Sequence, residues 1–160
     1  MDDVTMSVRD MDLNVAAASM DAHSLSRFHR AGQLLQGGRV QDQEEMAALF
    51  LEVAERSNAA EAEHNMGSFY QYGVGVPRNF ALAVTWYSKA AAQGLPVAAY
   101  ALARCYHVGR GVSIHIATAA AWYRRGAERG DSRSQCELGM LYKDGEGVPQ
   151  NHALAVQWLS

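Results

Sequence analysis

Several kinds of residue are scarce in this sequence, and each scarcity excludes a class of protein. The 160 residues include only three prolines and two cysteines. Scarce proline favours helices, because proline inside a helix removes a hydrogen bond and breaks the helix. The two cysteines, Cys105 and Cys136, lack CxxC spacing and cannot form a disulfide framework. The composition therefore predicts a helical protein rather than a disulfide-linked scaffold.

Long apolar runs and a strong charge are missing as well. No stretch approaches the roughly 20 apolar residues that a membrane helix needs. The N-terminal MDDVTMSVRDMDLNV lacks the basic and apolar regions of a secretory signal. The formal net charge of −3 gives no support for nucleic-acid binding, which usually requires a clustered basic face. We therefore expect a cytoplasmic protein that does not span a membrane and binds no nucleic acid.

The sequence also lacks the signatures of catalysis and metal binding. Its six histidines form no HExxH, and there is no GxSxG, P-loop, SxxK or kinase signature. Cys105 and His107 are close in sequence but point in different directions on a helix. We predict no catalytic residues, no cofactor and no metal. Cys105 is expected in the core and Cys136 on a helix surface.

The sequence does contain an internal repeat with a period of 36 residues. Because every repeat needs the same packing, we expect the recurring Trp, Tyr and Ala positions to lie in the core. The recurring residues are Trp86, Trp122 and Trp158; Tyr70, Tyr106 and Tyr142; Ala81, Ala117 and Ala153; Ala83, Ala119 and Ala155; Gly73, Gly109 and Gly145; Gly75, Gly111 and Gly147; and Val76, Val112 and Val148.

Each repeat predicts two helices joined by a glycine-containing turn, with the tryptophan filling the space between them. In YGVGVPRN, residues 72–79, Gly73 suits the left-handed position after a helix and Asn79 suits the N-cap of the next. His115 replaces the asparagine in the middle repeat and should cap less well. The glycine pair is similar to the start of a nucleotide-binding loop, but the third glycine is missing and a helix precedes it. We interpret the stretch as a structural turn.

The stretches GSFYQYGVGVPRNFALAVTWYSKAAAQG and ELGMLYKDGEGVPQNHALAVQWLS resemble Sel-1-like repeats, relatives of the tetratricopeptide repeat. The resemblance is clear over residues 60–160 and weaker over 24–59, and the middle repeat departs from it at Ala103 and His115. It implies an all-α, right-handed α/α superhelical solenoid over residues 23–160. Residues 1–22 fall outside the repeat period, and we expect a flexible tail or a short fraying helix there. The implied units are a degenerate repeat at 24–60, repeats at 61–96 and 97–132, and a truncated repeat at 133–160.

The resemblance also implies a non-catalytic adaptor or scaffold whose first helices line a concave groove. The predicted partner-binding residues are His64, Ser68, Gln71, Tyr72, Tyr100, Arg104, His107, Met140 and Lys143. The same face includes Leu25, Phe28, Leu35, Gln36, Glu61, Val97, Val108, Arg133, Cys136 and Asp144. Phe28, His64 and Tyr100 should form a ladder of rings. Aromatic anchors beside cations favour a protein or peptide partner with acidic side chains.

Two alternative functions stay open on the sequence alone. The first is a toxin-neutralising immunity protein, and the second is the regulatory module of a longer enzyme. The third repeat stops at Ser160 within its second helix, so we expect the natural chain to continue. The uncovered end of that repeat should also favour self-association, because solenoids normally finish with a polar capping element.

Overall fold

A computed structural model describes residues 20–35 and 40–160, and within these ranges it contains eight helices and no strand. The predicted tail at 1–22 falls almost wholly outside the described residues. The helices are α1 (Ala22–Leu35), α2 (Val40–Ser57), α3 (Ala60–Tyr72), α4 (Phe80–Ala92), α5 (Pro96–Val108), α6 (Ile116–Glu128), α7 (Ser132–Asp144) and α8 (His152–Leu159).

Two compact units divide the chain after Lys89, and each has its own hydrophobic core. In the first unit, the ring of Phe50 packs edge-on against Phe28 and Phe69, with centroids 5.3 and 5.4 Å apart. Each such ring pair contributes about 0.5–1.5 kcal/mol beyond the burial of its area. In the second unit, Tyr123 and Leu138 are fully buried at the centre of the core.

The turn inside each repeat depends on glycines that adopt the left-handed backbone conformation. Gly73, Gly109 and Gly145 follow the first helix of their repeats with φ of 69°, 75° and 73°. Gly73 donates its backbone N–H to the carbonyl of Phe69 at 2.8 Å, which closes the helix end. Gly75 is also left-handed, and a Cβ there would overlap the backbone carbonyl oxygen of Gln43 on α2. Both glycines of this turn therefore have structural roles.

Side chains cap the second helix of each repeat. The Oδ1 atoms of Asn79 and Asn151 accept the backbone N–H three residues on at 3.1 and 3.0 Å. His115 does the same with Nδ1, which accepts the N–H of Thr118 at 3.1 Å. His115 therefore makes a cap bond of the same length as the two asparagines do, and whether it stabilises the helix less stays a prediction.

The prediction that the recurring tryptophan, tyrosine and alanine positions lie in the core is only partly correct. Ala83, Ala119 and Ala155 are buried, whereas Ala81, Ala117 and Ala153 are exposed. The reason is helical geometry, since residues two apart lie about 200° apart around the axis and cannot share a face. Among the tryptophans, Trp86 is buried, but Trp122 and Trp158 are partly exposed.

A tyrosine one residue after the tryptophan fills part of the space between paired helices. Tyr87 and Tyr123 are the largest fully buried side chains in the described part of the chain. A Cβ on Gly67 would lie 2.5 Å from the Tyr87 ring, so α3 approaches this ring as closely as glycine allows. Trp86 is buried in the core of the first unit, and the other two tryptophans pack against the core of the second, so the tryptophans share this role with the tyrosines rather than fill the space alone.

Candidate binding face on the first helices of the repeats

The predicted partner-binding residues differ in burial from one repeat to the next. His64 and Ser68 on α3 are buried, with only 8% and 6% of their surface exposed. The His64 ring packs against the Tyr87 ring at 5.5 Å, and the Ser68 and Tyr87 hydroxyls are 3.2 Å apart. Both side chains turn inward onto α4, which leaves little of their surface for a partner, so the binding role of His64 and Ser68 stays a prediction that their burial does not favour.

The remaining residues of the predicted set are accessible. Gln71, Tyr100, Arg104 and His107 are half-buried. Tyr72, Met140 and Lys143 are exposed. In the degenerate repeat, Phe28 is buried, and the Leu35 side chain and Gln36 lie outside what the structure describes.

The predicted ladder of rings does not form an exposed row. Phe28, His64 and Tyr100 each pack against a ring on the second helix of the same repeat, at Phe50, Tyr87 and Tyr123 respectively. Phe28 and His64 are buried by this packing. Of the three, only Tyr100 keeps part of its ring accessible.

In the second unit, five side chains from three helices form one connected group, which we call the tyrosine–arginine cluster: Tyr100, Arg104, His107, Tyr123 and Arg133. The guanidinium of Arg104 donates to the Tyr100 hydroxyl at 3.4 Å, one helical turn along α5. The guanidinium of Arg133, on α7, lies over the Tyr100 ring at 4.5 Å from its centroid. Tyr100 thus brings two cations from neighbouring repeats to one ring.

Tyr123 forms the floor of this cluster. Its hydroxyl lies 3.2 Å from Nδ1 of His107, and its ring centroid is 5.9 Å from those of Tyr100 and His107. Burial is the main cause that raises the pKa of the Tyr123 hydroxyl, and the negative charge of Glu137 adds to it. The hydroxyl therefore stays protonated and can hold a hydrogen bond with His107.

The electrostatics of the cluster favour an anionic ligand with little excess charge. The hydrogen bond to Tyr100 is the largest of the effects that raise the pKa of Arg104, so Arg104 is always charged. Glu137 lies near Arg104 and Tyr123, and Asp131 accepts a hydrogen bond from Arg133 at 3.2 Å. Arg104 uses one donor on Tyr100 and Arg133 uses one on Asp131, which leaves their remaining N–H donors to bind an anionic ligand.

Exposed apolar side chains lie on the helices that carry the cluster. Met140 on α7 is 49% exposed, and Val108 at the end of α5 is 45% exposed. Lys143 and Asp144 follow Met140 and are both exposed. This part of α7 alternates cationic, anionic and apolar side chains, which suits a protein ligand better than a small apolar molecule.

Tyr123 and Arg133 are cluster residues that sequence reasoning did not select for the site. Tyr123 recurs with Tyr87 at the 36-residue period, and that recurrence could have indicated a buried ring next to Trp86 and Trp122. Arg133 fell on the predicted face, but no sequence pattern indicates that it would lie over Tyr100. The two cysteines are free, with Cys105 buried and Cys136 exposed, as predicted. Burial raises the pKa of the Cys105 thiol to about 11.

The described residues also bear on membrane-spanning helices and on clusters of metal-binding side chains. None of the helices in 20–35 and 40–160 is both long enough and apolar enough to cross a membrane. Across the same ranges, no three His, Cys, Asp or Glu side chains come together as metal ligands would.

Comparison with known proteins identifies the repeats. The model of the Sel1 repeat matches residues 60–95, 96–131 and 132–160, which is more than half of the chain. The chain belongs to the Sel1 repeat family. Sel1 repeat proteins generally serve as non-catalytic scaffolds for protein–protein interaction. The family model does not extend over α1 and α2, where the sequence predicted a degenerate repeat.

Solved structures of Sel1 proteins show the same fold. The chain is 30% identical to c5321, a protective antigen of uropathogenic Escherichia coli with an SLR fold, over 96% of its length at a TM-score of 0.80. It spans 32% of the c5321 chain. A Sel1 repeat protein from Oxalobacter formigenes is 38% identical, with 69% of this chain and 84% of that chain covered and a TM-score of 0.65.

Helicobacter pylori cysteine rich protein B is 16% identical at a TM-score of 0.59, over 78% of this chain and 96% of that chain, and this likeness shows the fold alone. No protein with a curated description matches the sequence significantly. The predicted family and the predicted all-α solenoid of 36-residue repeats are thus confirmed.

Proposed function

We propose that this Sel1 repeat protein is an adaptor that binds a partner protein through the face of α5 and α7 that carries the tyrosine–arginine cluster. The observation that supports the proposal most is the placement of Arg104 and Arg133 on the accessible Tyr100 ring. Arginine and tyrosine are enriched among the residues that dominate binding energy at protein interfaces. His107, Met140 and Lys143 extend the proposed face.

The proposal narrows the set of partner-binding residues. Tyr100, Arg104, His107, Met140 and Lys143 remain in it, and Arg133 joins them. Gln71 and Tyr72 belong to the first unit and stay as a separate, secondary part of the proposal. An acidic partner is favoured because accessible cations on this face come from both α5 and α7.

The location and assembly of the protein are further parts of the proposal. We place the adaptor in the cytoplasm, since its two cysteines are free thiols and reducing compartments keep thiols in that state. Fractionation of cells that express a tagged protein tests this, and recovery outside the cytoplasm would contradict it. Self-association through α8 is tested by light scattering at several concentrations, since Val156 and Leu159 there are exposed apolar residues.

The experiment that tests the adaptor function compares three baits in one lysate of the source organism. The baits are the wild-type chain, Arg104→Glu, and the control Arg125→Glu. Arg125 is an exposed arginine on α6 that lies over the Trp122 ring, outside the cluster, and its variant carries the same change of charge. We expect one protein to be captured by the wild type and the control and lost with Arg104→Glu.

The captured protein is then purified and its affinity is measured by calorimetry. A loss of affinity of at least tenfold with Arg104→Glu, and none with Arg125→Glu, would support the proposed face. Equal capture by all three folded baits would place binding elsewhere on the chain. Circular dichroism of each bait checks that the variants keep their helical content.

A further inference from the structure

The tyrosine–arginine cluster has a geometry that restricts which ligand group it can take. Tyr100 holds the Arg104 guanidinium at its hydroxyl and the Arg133 guanidinium over its ring. A guanidinium offers five N–H donors in a fixed fork, and a carboxylate accepts two of them side by side. Within the described part of the chain, Arg104 uses one donor on Tyr100 and Arg133 uses one on Asp131.

The nearby acidic residues limit the charge of that ligand. Glu137 lies near Arg104, and Asp131 is bound to Arg133. A single carboxylate is attracted by both guanidiniums around Tyr100, whereas each further negative charge is also repelled by Asp131 and Glu137. The charge balance therefore favours a ligand with one isolated carboxylate over a run of acidic residues.

The exposed Met140 side chain requires that the ligand also carry an apolar group, at a fixed distance from the carboxylate. Arg133 and Met140 are seven residues apart on α7, so they share one face and lie about 10 Å apart along the helix axis. Between them on this face lies the half-buried Glu137. A peptide in the polyproline II conformation rises about 3.1 Å per residue with three residues per turn, so an acidic and an apolar side chain three residues apart lie on one face about 9 Å apart.

We propose that the cluster recognises a segment of the partner in the polyproline II conformation, in which one glutamate or aspartate precedes an apolar residue by three positions. The carboxylate binds Arg104 and Arg133, and the apolar side chain packs on Met140. Tyr100 is a positioning residue that holds both guanidiniums. This inference rests on the proposed adaptor function and names the chemistry that its face selects.

The test uses two short peptides and the whole chain. The probes are acetyl-Glu-Ala-Ala-Leu-amide and its glutamine counterpart acetyl-Gln-Ala-Ala-Leu-amide, which differ by one charge. Each is titrated into isotope-labelled protein while the Arg side-chain N–H signals and the Met140 methyl signal are followed by NMR. We expect saturable shifts at Arg104, Arg133 and Met140, with the glutamate peptide binding at least tenfold more tightly than the glutamine peptide.

Protein variants separate recognition from folding. Arg133→Gln should reduce the affinity for the glutamate peptide at least tenfold and remove its advantage over the glutamine peptide. Arg125→Gln, the matched control, should leave both affinities unchanged. Tyr100→Phe keeps the ring under Arg133 but removes the hydroxyl that Arg104 binds, so the advantage of the glutamate peptide should shrink without disappearing.

Three results would overturn the inference. They are affinities for the two peptides within twofold of each other, saturable shifts confined to residues outside the cluster, and no saturation at roughly 10 mM peptide. None of them contradicts the adaptor function, which is judged by capture of a partner and its loss with Arg104→Glu. Conversely, tight peptide binding without any captured partner would leave the recognition chemistry standing and the adaptor function unsupported.

Discussion

Replacing Gly75 with alanine tests why the turn of the first Sel1 repeat contains a second glycine. Gly75 has a φ of 66°, a conformation that costs a residue with a Cβ roughly 1–2 kcal/mol. The new Cβ would also overlap the backbone carbonyl oxygen of Gln43 and lie 2.9 Å from the Cβ of Ala47. Backbone atoms cannot rotate away as a side chain can, so α2 and the turn must separate.

The backbone strain and the overlap with Gln43 can be measured separately by substituting a second glycine. Gly130 also has a positive φ, of 91°, but a Cβ there would meet no atom within 4 Å. Gly130→Ala therefore measures backbone strain alone, about 1–2 kcal/mol. Gly75→Ala adds an overpacking cost of about 1–3 kcal/mol, for a total of roughly 2–5 kcal/mol.

The assay is equilibrium unfolding in urea, followed by circular dichroism at several protein concentrations. Because repeat proteins can unfold in parts, hydrogen exchange should accompany it to show which helices lose protection. We expect Gly75→Ala to lower the midpoint more than Gly130→Ala and to expose amides of α2 first. An equal effect of the two substitutions would refute the argument that close approach to Gln43 requires glycine at position 75.

Three further predictions concern single side chains. Tyr123→Phe should destabilise the second unit by about 1 kcal/mol, because His107 loses its hydroxyl partner, as thermal unfolding would show. His115→Asn should change stability by less than about 0.5 kcal/mol, since the histidine already makes the cap bond; a large gain would mean that its bond contributes little. A thiol reagent at pH 8 should label Cys136 rapidly and Cys105 only after unfolding. The folded-state pKa of Cys105 is raised from 9.0 to about 11, so its contribution to stability is complete below pH 9 and is lost as the pH rises towards 11.

The sequence predicted local structure correctly at positions where the backbone conformation accepts very few residue types. A left-handed backbone after a helix nearly always requires glycine, so Gly73, Gly109 and Gly145 could be assigned from their spacing alone. The N-cap of Asn79 follows from an equally local rule. These local rules, repeated at 36 residues, were enough to predict the helix pairs and the fold class.

Burial of the candidate site could not be predicted in the same way. His64, Tyr100 and Cys136 occupy one position of the repeat, yet they are buried, half-buried and exposed. Their exposure depends on the helices packed around each of them, and the position within a repeat does not encode those neighbours. An assignment of the whole face by analogy therefore included His64, which packs on Tyr87.

The contrast between Ser68 and Arg104 shows how one repeat position can be buried in one repeat and accessible in the next. Ser68 is short, and its hydroxyl lies within hydrogen-bonding distance of Tyr87 on the second helix of its own repeat. Arg104, 36 residues later, is too long and too strongly charged to be buried there, so it extends along α5 to the Tyr100 hydroxyl and keeps its charge accessible. In the third repeat, Met140 has the same place and is half exposed. Positions at which the fold tolerates side chains of different size and charge are thus the ones that can distinguish a partner. Arg104 is the first residue at this repeat position whose side chain stays accessible and is not buried in the core.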